Sequence, residues 1–236
     1  MGKKIIITGG IGYIGTELCK IYSGYSWNDH ITVIDNRFIS ERVNQLRNWG
    51  INFVHGDILD KDLVMKYCHD ADIVHHLAGI TSVPRVKSES NNEIDEKIKL
   101  VAEAGTKNIL ESIPDKCKII FPSTHVVFEG ENLVKKDIKE DEKTSPVLSY
   151  AKSKDTNEKQ LQNAGKNFII LRLGSVYGYS TDTARLDIMP NFFSKVASQN
   201  GTLKLYAGGR QLKSLVPLID VARCFKFMEE KDEIKN

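Results

Sequence analysis

The chain is poor in the residues that staple small or metal-clipped scaffolds. Its four cysteines (Cys19, Cys68, Cys117 and Cys224) are scattered over 236 residues with no C-x-x-C pair. That argues against a disulfide framework or a zinc ribbon and for small buried hydrophobes in a reducing compartment. Charge of one sign is also missing. The 33 basic and 31 acidic residues leave a net +2, so bulk electrostatics gives no reason to expect a nucleic-acid partner. No apolar run approaches the roughly 20 residues of a membrane span, and no membrane association is expected. No leader is expected either, because Met1, Gly2, Lys3 and Lys4 run straight into an apolar strand. The small residue that myristoylation of Gly2 would require downstream is missing too. Cytoplasm is the expected location. The length suits one α/β domain with a sizeable core, or one domain plus a small lobe.

Residues 3–15, KKIIITGGIGYIG, organise the rest. Ile5, Ile6 and Ile7 form a short β-branched run that reads as a buried strand. Gly9, Gly12 and Gly15 follow at G-x-x-G-x-x-G spacing, and residues 16–21 read as helix. A strand, a tight glycine turn and a helix N-terminus together make an anion site. Unpaired N–H groups and the positive end of the helix dipole both face the turn. The spacing points to a dinucleotide pyrophosphate. A second β-rich run, residues 30–35, ends on Asp35, 20 residues past Gly15, where such folds place a carboxylate on the adenosine ribose. A carboxylate there favours NAD over NADP, although Arg37 is close enough to receive a 2′-phosphate.

The remaining pattern alternates. Residues 40–48 read as helix, 51–55 as strand, and Asp60 as the N-cap of a helix reaching His69. Residues 72–77 read as a fourth strand. His75 and His76 are adjacent on it and face opposite ways, so they are not expected to share a metal ion, and no metal is expected. Residues 93–112 read as one long helix on the spacing of Ile94, Ile98, Val101, Ala104 and Ile109. Residues 118–121 read as a fifth strand running into Pro122, Ser123 and Thr124, and 129–143 as a charged surface loop. Residues 149–164 read as helix and 168–171 as a sixth strand. This is the signature of an α/β, doubly wound parallel sheet. A Rossmann-like domain is expected over residues 1–176, with a small lobe over 177–236 interleaved with that core.

Tyr150 and Lys154 lie four apart, on one face of the helix that follows the fifth strand. An ammonium one turn from a phenol favours the phenolate, and the pair makes a general base for neutral pH. Ser123 and Thr124 add hydroxyls at the strand tip.

These features occur in order together with Asp35-Asn36, Gly56-Asp57, residues 76–79 (HLAG), Gly105-Thr106, 150–154 (YAKSK), 171–178 (LRLGSVYG) and 206–222 (YAGGRQLKSLVPLIDVA). The chain thereby resembles the extended short-chain dehydrogenase/reductase superfamily, and most closely its NAD-dependent epimerase/dehydratase family of nucleotide-sugar enzymes. The resemblance implies NAD as cofactor, Thr124 and Tyr150 as catalytic hydroxyls, and Lys154 tuning Tyr150 while holding the nicotinamide ribose. It implies a cofactor shell of Gly9, Gly12, Tyr13, Ile14, Gly15, Asp35, Asn36, Asp57, Ile58, Leu77, Ala78, Gly79, Ser123 and Val176. The implied substrate contacts are Ser82, Thr124, Ser175, Arg210 and Lys213. A UDP-sugar is the expected substrate, 4-epimerisation through a ketone the expected reaction, and 4-keto reduction or non-catalytic NAD binding the alternatives. A homodimer built on helices 93–112 and 149–164 is expected.

The chain also departs from the family pattern. The acid pair that follows the catalytic Thr in dehydratases is His125-Val126 here, which argues against dehydration. The Tyr-Gly beyond it is Phe128-Glu129. The Asn of the helix before Gly105 is Ala102. The substrate Asn is Ser175, and the phosphate-binding Arg is Lys213, a point charge without the guanidinium fork, with Arg210 nearby as a substitute. The chain stops at Asn236, where members commonly continue, so a truncated or naturally short substrate lobe is expected.

Overall fold

A computed structural model describes residues 2–25, 28–81, 91–131, 137–180 and 185–231. Six strands form one parallel sheet: β1 (Lys4–Thr8), β2 (His30–Asp35), β3 (Asn52–His55), β4 (Ile73–His76), β5 (Lys118–Thr124) and β6 (Asn167–Leu173). Their spatial order is β3-β2-β1-β4-β5-β6, the doubly wound order whose switch point lies between β1 and β4. Thr8 pairs with Ile34 on one side and His76 on the other. The register therefore brings the glycine turn, Asp35 and Ala78 together at the carboxyl edge of the sheet.

The expected Rossmann-like α/β architecture is present, and its pleat is readable in the packing. Ile5 and Ile7 join a core with Leu18, Cys19, Tyr22 and Phe225 on one face, while Ile6 joins Val64, Ile109 and Leu161 on the other. The first face is covered by α1 (Tyr13–Tyr25), α2 (Ser40–Asn48) and α8 (Leu218–Met228). The second is covered by α3 (Lys61–Cys68), α5 (Thr106–Ser112) and α6 (Ser149–Asn163). Asp60 caps α3 as expected, accepting from the Leu63 amide at 3.1 Å.

Three details differ from the sequence expectation. The helix expected over 93–112 is α4 (Asn92–Leu100), a π turn (Val101–Gly105) and then α5. Its backbone runs so close to Ile58 that a Cβ on Gly105 would lie 2.4 Å from the isoleucine Cδ1; the widened turn falls at the five-residue step from Ala104 to Ile109 in the apolar spacing. β5 continues through Pro122. That proline lies beyond the residues of β5 paired with β4, so its missing N–H removes no ladder bond there. The described part of the charged loop is also tied down. Gly130 donates to the Ser145 carbonyl at 2.9 Å, and Glu129 accepts from the Val147 amide at 2.9 Å and from that of Leu148, at the start of α6.

Beyond β6, β7 (Ser175–Tyr177) pairs in parallel with β8 (Leu215–Pro217). The amphipathic α7 (Met189–Ser198) buries none of its residues. α8 instead returns to the sheet, where Val221, Ala222 and Phe225 pack among the α1 residues. Among the described residues no helix is long and apolar enough to cross a membrane.

Candidate active site

The glycine turn is built by close approach. Gly9 has φ +70°, and a Cβ there would lie 2.8 Å from the Ala78 backbone. A Cβ on Gly15 would lie 2.6 Å from the Gly9 carbonyl oxygen, so the first turn of α1 can sit directly on the loop only with glycine. Asp35 closes the far side. Its carboxylate accepts from the Ile11 amide at 3.2 Å and from the Arg37 amide at 3.0 Å, and pairs with the Arg37 Nε at 3.3 Å. The open side of Gly12 faces that guanidinium, 3.6 Å from where a Cβ would be. Helix N–H groups, a glycine cradle and an acid at the second strand tip fit a dinucleotide.

The other expected cofactor residues fall into two groups. Asn36 donates to the Asp57 carboxylate at 2.9 Å, and Asp57 accepts from the Leu59 amide, so both sit at the edge beside Asp35. The Ala78 amide donates to the Thr8 hydroxyl at 3.1 Å, and Gly79 has open space around its Cα. By contrast, the Ile58 side chain is buried in the core against Gly105. Ile14, Leu77 and Val176 pack on the first core cluster. Tyr13 turns its hydroxyl toward the C-terminal part, donating to the Gly178 carbonyl and accepting from Asn191 at 3.1 Å.

The hydroxyl pair and the Tyr-x-x-x-Lys helix do meet. Thr124, at the tip of β5, lies beside Tyr150, where its hydroxyl acts to hold the phenol pKa down, and accepts from the Val126 amide at 3.3 Å. Lys154 is buried, donates to the Pro122 carbonyl at 2.7 Å, and lies 4.3 Å from the Phe121 ring centre and 6.0 Å from that of Tyr150. Burial lowers the Lys154 ammonium to about 7, opposed by the Glu158 carboxylate one turn along. Burial also raises the Tyr150 phenol, against the pull of the Arg185 guanidinium and the Thr124 hydrogen bond. The sequence expectation, a phenolate favoured by the Lys154 ammonium, meets an opposing effect: the same burial that raises the phenol also disfavours the ammonium, because each charged form enters an apolar setting.

Sequence reasoning missed several supporting groups. The Ser123 hydroxyl donates to Glu158, which chelates Arg172 through Nε at 3.0 Å and Nη2 at 2.7 Å. The i, i+4 spacing of Lys154 and Glu158 was a usable signal for this. Arg185, paired with Asp187 at 2.7 Å, gave none, since it lies in irregular chain and reaches Tyr150 only through the fold. His125 is anchored, its Nδ1 3.0 Å from the Leu173 carbonyl. Ser175 is half-buried on β7, with its amide on the Ser214 carbonyl at 2.8 Å. Arg210 and Lys213 are exposed, and Ser82 lies outside the described residues. His75 and His76 do point to opposite faces: His75 meets Tyr22 and Glu229, and His76 meets Thr8 and Thr106.

The NAD dependent epimerase/dehydratase family matches residues 5–236. The chain belongs to this family. Among its relatives is a dTDP-D-glucose 4,6-dehydratase of Dictyostelium discoideum, 26% identical over 99% of this chain and 57% of the relative's length. A UDP-N-acetyl-alpha-D-glucosaminuronate decarboxylase of Bacillus cytotoxicus is 28% identical over 99% of this chain and 70% of its own. The chain thus spans little more than half of the first relative. A UDP-glucuronic acid 4-epimerase from Bacillus cereus, solved in complex with UDP-4-deoxy-4-fluoro-glucuronic acid and NAD, superposes with a TM-score of 0.83 at 26% identity, covering 99% of this chain and 75% of that one. The epimerase/dehydratase family is NAD-dependent, and the glycine turn with Asp35 fits that cofactor.

Proposed function

We propose that this member of the family is an NAD-dependent nucleotide-sugar epimerase, inverting C4 of a UDP-sugar through a 4-keto intermediate. The observation that carries the reading is the convergence of Thr124, Tyr150 and Lys154 at the tip of β5, with the Thr124 hydroxyl bearing on the phenol and Lys154 Nζ 6.0 Å from the Tyr150 ring centre. Tyr150 takes the proton from the sugar hydroxyl and returns it. Thr124 hydrogen-bonds the same oxygen and holds it at the phenol, while Lys154 and Arg185 supply the positive field that favours phenolate as the proton leaves. NAD, when bound, accepts and gives back a hydride at the sugar carbon.

Gly9, Gly12, Gly15, Tyr13 and Ile14 form the pyrophosphate turn, Asp35 and Asn36 take the adenosine ribose, and Asp57 and the backbone at Ile58 border the adenine. Leu77, Ala78, Gly79, Ser123 and Val176 complete the wall. Residues 177–236 supply the sugar-nucleotide side, with Ser82, Ser175, Arg210 and Lys213 as contacts. The protein works in the cytoplasm as a homodimer. The same hydroxyls would serve a 4-ketoreductase, and cofactor consumption separates the two. Dehydration is disfavoured because His125 and Val126, not carboxylates, follow Thr124.

The test is turnover of UDP-sugars with substoichiometric NAD. Epimerisation continues for many turnovers without net NADH change, whereas consumption of one reduced cofactor per product would replace this reading with reduction. Tyr150→Phe is expected to lower kcat by about 10²–10⁴-fold, the range of a lost general base, while NAD affinity, measured by calorimetry, stays within a few-fold.

A further inference from the structure

The π turn does more than interrupt a helix. The Thr106 N–H is shared between the Ala102 and Glu103 carbonyls, and both carbonyls also receive a bond from α6. Asn157 Nδ2 donates to Ala102 O at 2.8 Å, and Gln160 Nε2 donates to Glu103 O at 2.9 Å. Asn157 is buried and also reaches the Thr106 hydroxyl at 2.9 Å. From Thr106 the bonds continue to His76 Nε2 at 2.9 Å, from His76 Nδ1 to Thr8 at 2.9 Å, and from Thr8 to the Ala78 amide at 3.1 Å. A buried polar chain therefore joins the helix that carries Tyr150 and Lys154 to the strand tips beside the glycine turn. His76 stays neutral along it, because burial and then the Lys154 charge push its imidazole down to about 3. Its ring lies 5.7 Å from that of Phe121, the ring over which Lys154 Nζ sits at 4.3 Å.

We propose that Asn157 is a positioning residue for Lys154, resting on the reading that Lys154 works beside Tyr150. Three residues past Lys154, it seats α6 on the π turn and on Thr106. That closes the helix over the strand tips, excludes water from the Lys154 stem and holds Nζ at the Pro122 carbonyl. Ala102 carries no side-chain amide of its own, and its carbonyl takes its side-chain bond from Asn157 on α6. Gln160 makes the parallel bond to the next carbonyl and accepts from Asn157 Nδ2 at 3.1 Å, but it bonds neither Thr106 nor His76, so it supports Asn157 without itself closing the chain beneath the lysine.

The test needs neither cofactor nor sugar. The rate at which Lys154 is acylated by a small water-soluble anhydride is followed against pH by peptide mass spectrometry. The wild-type midpoint is expected near the lowered value of about 7. In Asn157→Ala it is expected to rise by one unit or more as water reaches the ammonium, while Gln160→Ala, which leaves the Asn157 bonds to Ala102 and Thr106 in place, lowers Tm and moves the midpoint by less than half as much. An unchanged midpoint in Asn157→Ala, or an equal shift in Gln160→Ala, overturns the proposal. If Asn157→Ala does not fold, Thr106→Val breaks the same chain at constant shape, and its midpoint decides in the same way. Failure of the epimerase reading would appear separately, as absence of sugar turnover in the wild type.

Discussion

Lys154 is the site residue that the fold must work hardest to accommodate. Its folded pKa of about 7 lies below the roughly 10.4 of an exposed lysine. The unfolded chain therefore binds more protons between those values, and stability rises with pH across that window. Below pH 7 the full penalty is present, on the order of 4 kcal/mol for a shift of about three units. Lys154→Met is expected to be more stable than wild type at pH 6, with the gap closing by pH 10, as read from urea midpoints, and to lose turnover. A gap independent of pH would contradict the assignment. At this scale the sequence displayed the side chains proposed to react and their spacing but not their surroundings. Tyr150 and Lys154 announce themselves by spacing alone, whereas Arg185 and Asn157 act across long sequence separations that only the packed fold brings to zero.

The elements that make the cofactor turn were legible because strand, glycine spacing and acid at the next strand tip follow from local backbone requirements. Two glycines with the same φ separate conformation from close approach. Gly9 and Gly50 both sit at +70°, but a Cβ on Gly50 meets nothing within 4 Å, while one on Gly9 meets the Ala78 backbone at 2.8 Å. Gly50→Ala is expected to cost about 1 kcal/mol, the left-handed backbone term alone. Gly9→Ala should cost at least twice that and weaken NAD binding more than tenfold. Denaturation and calorimetry on both variants check this, and equal effects on NAD would sink the close-approach account. The π turn was legible only as a slip. A helix widened by one residue rotates the side chains beyond it, and the apolar series steps by five from Ala104 to Ile109, whereas the close approach of Ile58 to Gly105 involves another element and leaves no local trace.

At the scale of the whole molecule, the C-terminal segment is held by the Rossmann core. α8 is followed at its C-cap by Glu229, which is bonded to Tyr22, to His75 at 2.8 Å and to Lys226 at 2.8 Å, while Lys118 Nζ donates to the Glu229 carbonyl at 3.0 Å. Burial pushes the Glu229 carboxyl up, but the bonds from His75, Lys226 and Tyr22 outweigh it and hold it below its ordinary value. A carboxyl lowered on folding contributes stability above its unfolded pKa and loses it as pH falls through the folded one. Glu229→Gln is expected to flatten the acid side of the stability profile below about pH 4.5 and to cost on the order of 3 kcal/mol at pH 7, as for a broken buried pair. Urea titrations between pH 3 and 7 measure both. The sequence reading expects a lobe over residues 177–236; within that range, Val221, Ala222 and Phe225 of α8 pack in the core beside α1.

The site's central claim is that Thr124, Tyr150 and Lys154 invert a sugar carbinol with a cofactor that ends as it began. The most direct measurement is proton NMR of a panel of UDP-sugars incubated with the purified protein and a trace of NAD, run beside Tyr150→Phe. The expected result is interconversion of one C4-epimeric pair by the wild type alone, with no accumulating NADH. NAD bound in full and no sugar converted by the wild type would contradict it.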